Sequence, residues 1–362
     1  MSPAPAAPRP CLPPPRSGGE AGDPRAHDWS AVLSWLEEGR GFLLTTHVHP
    51  DADGLGSLAA LAQALQEKGR RTVILLPTPM QENCRFLFEG CAGQIWQGED
   101  VARADLEGVD RAVILDVSSL GRVGAVAALI EARRLPTLVL DHHLANDLAG
   151  LSAVFPGLSS TGEVVAALLA AWGVRPGPAM AQALYAALTT DTGGFAFSST
   201  TGDTLELAAA LVRAGARPER VHAELDQNHP PERYDLLALF LASRRSHAGG
   251  RLLEFALTRE MLARSGATRE DSDGFANLGL SIRGCQMCIV LCELDDGAAK
   301  VNLRCVAPRD AAAIALALGG GGHRYAAGAT VRQEAGLREQ VLALALAQFD
   351  DEAGPAGRVA TA

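Results

Sequence analysis

Apolar and polar positions alternate in blocks along the first two thirds of the chain. Short runs rich in Val, Ile and Leu, typical of buried strands, are GFLLTT, RTVILLP, RAVILDV and PTLVLDHH. Stretches of helical period lie around them: SAVLSWLEEG, GLGSLAALAQALQEKG and STGEVVAALLAAWG. Strands of this kind, spaced by helices, predict an α/β domain over residues 28–225, with a doubly wound and mostly parallel sheet.

The pattern changes in the last third of the chain. TGDTLELAAALVRAG and PPERYDLLALFLASRRSH both have a helical period, and the second predicts a helical connector over residues 226–246. RLLEFALT, CQMCIVLCEL and AAKVNLRCV then indicate strands, and DAAAIALAL indicates a helix, so residues 247–350 are predicted to form a smaller α/β domain. Residues 1–27, which are rich in Pro, and residues 351–362 have the composition of disordered tails.

Charge and composition narrow the classes of function. The formal net charge of −10 argues against tight, sequence-independent binding of long duplex nucleic acid. The sequence has neither an apolar run long enough to span a bilayer nor the apolar core of a signal peptide, so we expect a cytoplasmic protein with no membrane partner. Cys285, Cys288 and Cys292 raise the alternative of a zinc site, but their apolar run favours a strand with buried free thiols.

Candidate chemistry lies where apolar runs end. Acidic and histidine residues follow GFLLTT, RAVIL, TLVL and, less clearly, LYAALTT. In chain order these residues are His47, Asp51 and Asp53, then Asp116, then Asp141, His142 and His143, and finally Asp191. Carboxylates and imidazoles bind divalent metals, and parallel strands gather their carboxyl ends at one edge of a sheet. We therefore expect a site for two metal ions, against the alternative of separate Asp-rich turns and helix caps.

A glycine-rich segment in the second predicted domain is a further candidate. GGGGHRYAAGA, residues 319–329, would leave backbone N–H groups free to meet an anion, with His323 and Arg324 as additional donors. Arg304 would join them from a neighbouring strand. The plainer interpretation is a flexible glycine loop, and a Walker-type phosphate loop is disfavoured because no Gly-Lys-Ser/Thr is present there.

These motifs, taken in order, resemble those of a known family. HVHPDADGLGS, LDVSS, LDHH and TDTGGF are similar to the four motifs of the DHH phosphoesterase superfamily, and GGGGHRYAAGA resembles the glycine-rich signature of its DHHA1 domain. The two domains with a short connector resemble the subgroup of oligoribonucleases and 3′-phosphoadenosine 5′-phosphate (pAp) phosphatases called nanoRNases. The resemblance covers roughly residues 28–350.

The resemblance implies a site for two Mn²⁺ ions, with Mg²⁺ as an alternative. One ion would be held by His47 and Asp51, and the other by Asp53, His142 and Asp191. Asp116 would bridge the two ions and is therefore also a catalytic residue. His143 would be catalytic as well, because it would face the scissile phosphate as a donor or as an acid to the leaving group. Asp141 would support the site by orienting a histidine.

The resemblance also implies how substrate is held and what it is. The far end of the substrate would be gripped from the second domain by Arg304, Gly320, Gly321, Gly322, His323 and Arg324. The expected activity is metal-dependent hydrolysis of short nucleotides: single-stranded oligoribonucleotides of about two to four nucleotides, linear dinucleotides such as pApA, and pAp. The alternatives are a c-di-AMP phosphodiesterase and, outside enzymes, a nucleotide sensor. A homodimer is an expected assembly of this subgroup.

Overall fold

The computed structural model describes residues 11–13, 23–143 and 148–349 of the protein. The chain divides into two compact units, Met1–Asn228 and His229–Ala362, here called the first and second units. This division falls inside the predicted connector, residues 226–246. No helix in the described ranges has the length and apolar character needed to cross a bilayer.

Strands and helices alternate in the first unit. Its strands are β1 (Gly41–Thr45), β2 (Arg71–Leu76), β3 (Ile95–Gln97), β4 (Arg111–Leu115), β5 (Thr137–Asp141) and β6 (Leu151–Val154). Its helices are α1 (Ser30–Glu38), α2 (Ala52–Glu67), α3 (Ala125–Ala132), α4 (Thr161–Ala171), α5 (Pro178–Asp191), α6 (Gly202–Arg213) and α7 (Pro218–Asp226).

The six strands form one parallel sheet in the order β3-β2-β1-β4-β5-β6. Successive residues of each central strand enter different cores, because side chains alternate between the faces of a sheet. Leu44 and Val113 belong to the core that also contains α2, α4 and α5, whereas Leu43 and Ile114 belong to the core that contains α3. The predicted doubly wound α/β fold is therefore confirmed.

The order of the strands positions the site. From β1 the chain builds the sheet outward through β2 and β3, and it then returns to add β4 on the other side of β1. Connections that leave neighbouring strands in opposite directions open a crevice at the carboxyl ends of those strands. The segments that follow β1 and β4 begin at this point.

The second unit has its own sheet and its own cores. Its strands are β7 (Arg245–His247), β8 (Leu252–Leu257), β9 (Met287–Glu293), β10 (Ala298–Cys305), β11 (Gly321–His323) and β12 (Ala326–Arg332). Its helices are α8 (Pro231–Ala242), α9 (Arg259–Ser265), α10 (Phe275–Leu278), α11 (Ala311–Ala317) and α12 (Leu337–Ala347). The strand order is β11-β12-β10-β9-β8-β7, in which β8 and β9 are parallel and the other pairs are antiparallel.

Helix α8 lies in the range of the predicted connector, but it packs into the second unit. Leu236 and Phe240 on α8 are fully buried, and the ring of Phe240 stacks on Phe255 at a centroid distance of 4.7 Å. The apolar face of a helix has to be covered by another element. Here the partner is the face of β8 and β9, so α8 contributes to a core of the second unit.

Most of the two predicted disordered tails lies outside the described residues. Residues 23–27 depart from that prediction, since Arg25 forms ion pairs with Asp203 and Glu206 at the start of α6. Leu12 also departs from it, because it is buried in the core of the first unit.

The second unit carries four of the free cysteines that the structure describes. Cys285, Cys288 and Cys292 are buried free thiols, as the apolar pattern favoured. Burial raises the pKa of the Cys288 thiol to about 12, and the described groups able to hold a metal include none of these cysteines. Burial of these thiols favours the interpretation as core residues over the zinc alternative.

Candidate metal centre

His47 and Asp116 meet at the carboxyl ends of β1 and β4. The distance from His47 Nε2 to Asp116 Oδ2 is 3.4 Å, and both side chains are buried. Asp116 follows β4 directly and has a φ of 59°, a left-handed conformation that is uncommon outside glycine. Gly54 gives the carboxylate room, because a Cβ at that position would lie 3.2 Å from Asp116 Oδ2.

Asp51 completes a first group of candidate ligands with these two residues, here called the first ligand set. It caps α2, and its Oδ1 accepts hydrogen bonds from the N–H groups of Asp53 at 3.0 Å and Gly54 at 3.1 Å. The same oxygen lies 3.8 Å from His47 Nε2. One donor atom from each of His47, Asp51 and Asp116 lies within 4.8 Å of the other two.

Asp53, His142 and Asp191 form a second group of candidate ligands, here called the second ligand set. The distance from His142 Nε2 is 3.2 Å to Asp191 Oδ2 and 3.8 Å to Asp53 Oδ2. Asp116 also contributes here, since its Oδ1 lies 3.7 Å from the same nitrogen. The two oxygens of Asp116 thus face different sets: Oδ2 faces His47, and Oδ1 faces His142.

The rings of His47 and His142 are oriented by backbone carbonyls. His47 Nδ1 lies 2.8 Å from the carbonyl oxygen of Val48, and His142 Nδ1 lies 3.2 Å from that of Leu158. A carbonyl can only accept, so Nδ1 carries the proton and Nε2 is left as the ligand atom. His142 Nε2 is surrounded by carboxylate oxygens at 3.2–3.8 Å, an arrangement of donor atoms that suits a cation.

The pKa values in the second ligand set are shifted because several carboxylates lie close together in a buried place. Burial, followed by the charges of Asp116 and Asp191, raises the pKa of Asp53 well above its usual range. Burial likewise raises the pKa of Asp191 to about 6, although its hydrogen bond with His142 opposes this. For His142 burial lowers the pKa, but the carboxylates of Asp191, Asp53 and Asp116 outweigh it and raise the value to about 10.

The first ligand set shows the same balance. Burial opposes the charged form of His47, yet hydrogen bonds and charge from Asp116 and Asp51 raise its pKa to about 10. Conversely, His47 holds the pKa of the Asp116 carboxyl below its ordinary value in spite of complete burial. A divalent cation in each set would supply the positive charge that these protons supply in its absence, and oxygen with imidazole donors suits Mn²⁺.

His143 is paired with Asp141. His143 Nδ1 lies 2.7 Å from Asp141 Oδ1, and Asp141, the last residue of β5, is fully buried. The bond holds the ring with Nδ1 protonated and leaves Nε2 for another contact. Asp116 Oδ1 is 3.7 Å from His143 Nδ1, so the pair borders the second ligand set. The sequence leads us to expect that Asp141 orients a histidine, and the structure specifies which one.

Helix α4 adds residues that sequence reasoning missed. The backbone N–H groups of Thr161 and Gly162 donate to the two carboxylate oxygens of Asp53, and the Thr161 hydroxyl donates to Asp116 Oδ1. Ser57 Oγ adds a longer hydrogen bond to Asp53 Oδ1 at 3.3 Å. The available signal was the Ser/Thr start of STGEVV soon after LDHH, since a helix N-terminus favours a carboxylate.

The glycine-rich segment of the second unit is a hairpin in place of the predicted free loop. Gly321 and Gly322 pair in β11 with residues of β12, and the Gly320 N–H donates to the Ala315 carbonyl at 2.8 Å. Gly320 leaves no room for a side chain, because a Cβ there would lie 2.2 Å from the Gly328 carbonyl oxygen. The glycines therefore allow close strand packing, which the composition alone did not distinguish from flexibility.

The predicted substrate residues of the second unit have different surroundings. Arg304 Nε donates to Asn277 Oδ1 at 2.9 Å, and Arg304 Nη1 donates to the carbonyl oxygen of Leu303. Burial lowers the pKa of the Arg304 guanidinium. The Arg324 side chain is 59% exposed, with Nε 3.9 Å from Asp310 Oδ2. The side chain of His323 is outside what the structure describes. Their role in binding substrate stays a prediction.

Comparison with known proteins identifies the family. Residues 42–188 match the model of the DHH family, N-terminal domain, and residues 254–353 match the DHHA1 domain. The bifunctional oligoribonuclease and PAP phosphatase NrnA of Thermus thermophilus is 31% identical over 80% of this chain and 83% of its own length. The chain belongs to the DHH family. As a member of this phosphoesterase family it is a hydrolase of phosphate esters.

Solved structures agree with this DHH fold. An exopolyphosphatase-related protein from Bacteroides fragilis has a TM-score of 0.80 at 23% identity, with 88% of this chain and 95% of that one covered. RecJ from Thermus thermophilus, in complex with Mn²⁺, has a TM-score of 0.53 at 17% identity, with 88% of this chain and 54% of that one covered. At these identities the likeness concerns the fold.

Asp191 differs from the other candidate ligands of this DHH site in the element that carries it. The run LYAALTT before it, the least clear of the four, is helical, and Asp191 is the last residue of helix α5. LYAALTT is helical because it continues an alanine-rich segment that begins with Pro178 at the first helical position, where proline is favourable. The structure still brings Asp191 to the carboxyl edge of the sheet, beside His142.

Proposed function

We propose that this protein hydrolyses phosphate esters of short nucleotides at a centre that holds two divalent cations. The proposal depends on the position of the Asp116 carboxylate, whose Oδ2 faces the first ligand set and whose Oδ1 faces the second. The substrate classes are single-stranded oligoribonucleotides of about two to four nucleotides, linear dinucleotides and pAp. The name of the 31% identical relative, an oligoribonuclease and PAP phosphatase, supports them.

The metal ligands would be the residues gathered at the sheet edge. One ion would be held by His47 and Asp51, the other by Asp53, His142 and Asp191, and both by Asp116. Oxygen and imidazole donors favour Mn²⁺ over Mg²⁺, and Mn²⁺ is the ion in the RecJ structure. Two such ions would supply a water of lowered pKa and would neutralise charge on the phosphate.

His143 would act on the leaving group. Asp141 fixes its ring through Nδ1, so Nε2 would be the atom that donates a proton to the departing oxygen. Because Asp141 is fully buried and accepts this hydrogen bond, it would also keep the His143 ring in this orientation between turnovers. His143 borders the second ligand set, and this position supports its contact with a phosphate held there.

The second unit would hold the far end of the substrate. The proposed contacts are Arg304, Arg324, His323 and the glycines Gly320, Gly321 and Gly322. The guanidinium of Arg304 is already oriented by Asn277, which suits recognition of a phosphate or a base edge. A chain with a net charge of −10 suits a short ligand better than a long duplex. A homodimer in the cytoplasm remains part of the proposal.

A substrate panel with matched variants tests the proposal. We expect release of mononucleotides or phosphate from pApA, pAp and short oligoribonucleotides with Mn²⁺, in preference to c-di-AMP, pyrophosphate and long strands. Asp116→Ala should lower turnover by more than about 100-fold, because even outer partners of metal ligands cost about 10–100-fold. Asp100→Ala is the control, since Asp100 is exposed and forms its ion pair with the surface residue Arg103. An unchanged rate in Asp116→Ala would refute the bridging role.

A further inference from the structure

The first turn of α4 contacts carboxylates of both ligand sets. The Thr161 N–H donates to Asp53 Oδ2 at 2.8 Å, and the Gly162 N–H donates to Asp53 Oδ1 at 3.0 Å. The Thr161 hydroxyl donates to Asp116 Oδ1 at 3.1 Å. Thr161 and Asp53 have no exposed surface, and Asp116 is only 3% exposed. One residue therefore reaches both Asp53, of the second set, and Asp116, which is shared.

These hydrogen bonds follow from the way the helix begins. The first N–H groups of an α-helix have no partner within the helix. The Glu163 N–H donates to the Ser160 side-chain oxygen at 3.3 Å. The N–H groups of Thr161 and Gly162 are left, and they donate to Asp53. A carboxylate is favoured there because the N-terminus of a helix carries partial positive charge.

The turn itself is held in place by a neighbouring helix. Gly162 lies so close to α5 that a Cβ would come within 2.7 Å of Ala187 Cβ and 3.2 Å of Leu188 Cδ1. Helix α5 is also the element that carries Asp191. The first turn of α4 thus lies between three ligand carriers: the start of α2, the end of β4 and α5. Backbone donors fixed in this way cannot move by a simple change of rotamer.

We infer that Thr161 is a positioning residue that fixes Asp53 and Asp116 for both metal ions at once. A carboxylate has about four lone-pair positions, and each hydrogen bond occupies one of them. The hydrogen bond to each Asp53 oxygen and the one to Asp116 Oδ1 therefore restrict the directions from which a cation can bind. This inference rests on the proposed two-ion centre, and it adds a residue that is not itself a ligand.

Three substitutions at Thr161 separate its two contributions. Thr161→Ser keeps the hydroxyl and the N–H, and Thr161→Val removes the hydroxyl with almost no change of shape. Thr161→Pro removes both donors, and proline is accepted at the first position of a helix, which Thr161 occupies in α4. Thr137→Val is the matched control, because Thr137 begins β5 at the opposite end of the strand and its hydroxyl donates to the Leu135 carbonyl, away from the candidate ligands.

The measurement is the binding of Mn²⁺ in the absence of substrate. Calorimetry gives the affinity and the number of ions, and electron paramagnetic resonance reports the bound ion. We expect wild type, Thr161→Ser and Thr137→Val to bind two ions with affinities within about threefold of one another. Thr161→Val should weaken binding about tenfold, and Thr161→Pro should weaken the ion at Asp53 by about 100-fold, the range for outer partners of metal ligands. The rise in melting temperature on adding Mn²⁺ should shrink in the same order.

The possible results separate the inference from the proposed function. If wild type binds two Mn²⁺ ions and Thr161→Val binds them equally well, the inference is wrong and the two-ion centre stands. If wild type binds no Mn²⁺, both are wrong. If Thr161→Val lowers the melting temperature in chelator as much as in Mn²⁺, the role of Thr161 is only structural and the inference is again overturned. Thr161→Val keeps the test valid should Thr161→Pro fail to fold.

Discussion

Asp116 places its carboxylate through an unusual backbone conformation. Leu115 before it is fully buried in β4, and the φ of 59° at Asp116 turns the chain as soon as the strand ends. Such conformations are costly for residues other than glycine, and they persist where the surrounding structure enforces them. Here the Asp116 N–H donates to the Leu140 carbonyl on β5 at 3.0 Å, and the absence of a side chain at Gly54 leaves space for the carboxylate.

Gly54→Ala should impair the metal centre. The new Cβ would lie 2.4 Å from Thr46 Oγ1 and 3.2 Å from Asp116 Oδ2, so both groups would have to move. We expect Mn²⁺ affinity to fall by at least about tenfold, as for other losses of ligand support. Gly202→Ala is the control, since no atom lies within 4 Å of its Cβ position and its backbone is ordinary. Equal Mn²⁺ binding by the two variants, measured by calorimetry, would contradict the prediction.

Asp141→Asn should separate turnover from metal binding. The amide keeps the shape of the carboxylate, but it removes the charge that holds His143 through the 2.7 Å contact. We expect kcat to fall by about 10–100-fold, with a changed pH profile, because the ring loses its fixed tautomer. Binding of Mn²⁺ should stay near the wild-type value. Loss of Mn²⁺ binding in step with kcat would mean that Asp141 supports the ligands and not His143.

At the scale of elements, helix α5 both packs against α2 and carries Asp191, a candidate ligand of the metal centre. It ends in Asp191, and its Ala183 carbonyl lies 2.4 Å from the position that a Cβ on Gly56 of α2 would occupy. A helix pair this close depends on a residue without a side chain. The position of Asp191 relative to Asp53 is thus set by the contact between α2 and α5.

Gly56→Ala should destabilise the first unit. The added methyl meets a backbone carbonyl, which cannot rotate away, so α2 and α5 would have to separate. We expect a loss of about 1–3 kcal/mol, as for other overpacked cores. All four tryptophans lie in the first unit, so urea unfolding followed by tryptophan fluorescence reports it directly. A urea midpoint equal to that of Gly202→Ala would show that α2 and α5 can accommodate the methyl group, and it would contradict the prediction.

The elements differ in how well sequence predicts them. Strands β1, β2, β4 and β5 were predicted because continuous apolar runs leave few other interpretations. The run before Asp191 was ambiguous, since short runs of Ala, Leu and Thr fit a buried helix as well as a strand. The short strands β3 and β6 gave no apolar run that we recognised.

The residue types of the candidate ligands were predictable from sequence, but the groups that hydrogen-bond to them were not. Histidine and aspartate after strand ends signal a metal site by chemistry alone. The hydrogen bonds of Thr161 and Gly162 to Asp53 join residues more than 100 positions apart, and the donors are backbone groups that every residue but proline possesses. The Ser/Thr start of α4 predicts a helix N-terminus with free donors, but only the fold shows which carboxylates those donors meet.

At the scale of the whole molecule, each unit is stabilised by its own interactions. In the second unit Glu254 of β8 is a buried carboxylate that links α12 and β7. Arg338 Nε and Nη2 donate to it at 2.5 Å and 2.7 Å, and His247 Nε2 lies 2.9 Å from it. Burial opposes the charged form, but Arg338 and His247 prevail and lower the pKa of the Glu254 carboxyl.

The second unit should therefore lose stability in acid. A carboxyl whose folded pKa lies below its ordinary 4.5 stabilises the fold above that pH, and this contribution is lost as pH falls through the folded pKa. Glu254→Gln should cost about 1.5–3 kcal/mol near neutral pH, the range for hydrogen bonds to charged groups, and less in acid. Hydrogen exchange of the β8 amides measures this. A difference from wild type that does not depend on pH would exclude the charge as its cause.

Asp191 is carried by a helix, whereas the other candidate ligands follow strands, and this difference has a consequence for engineering. His47, Asp51, Asp53, Asp116 and His142 lie on segments that directly follow β1, β4 and β5, so the sheet fixes their relative positions. Asp191 comes instead from the end of α5, which is positioned by its close contact with α2 at Gly56 and not by a strand. A substitution of Asp191 would therefore change the candidate ligands around His142 and leave those of His47 and Asp51 where the segment after β1 places them.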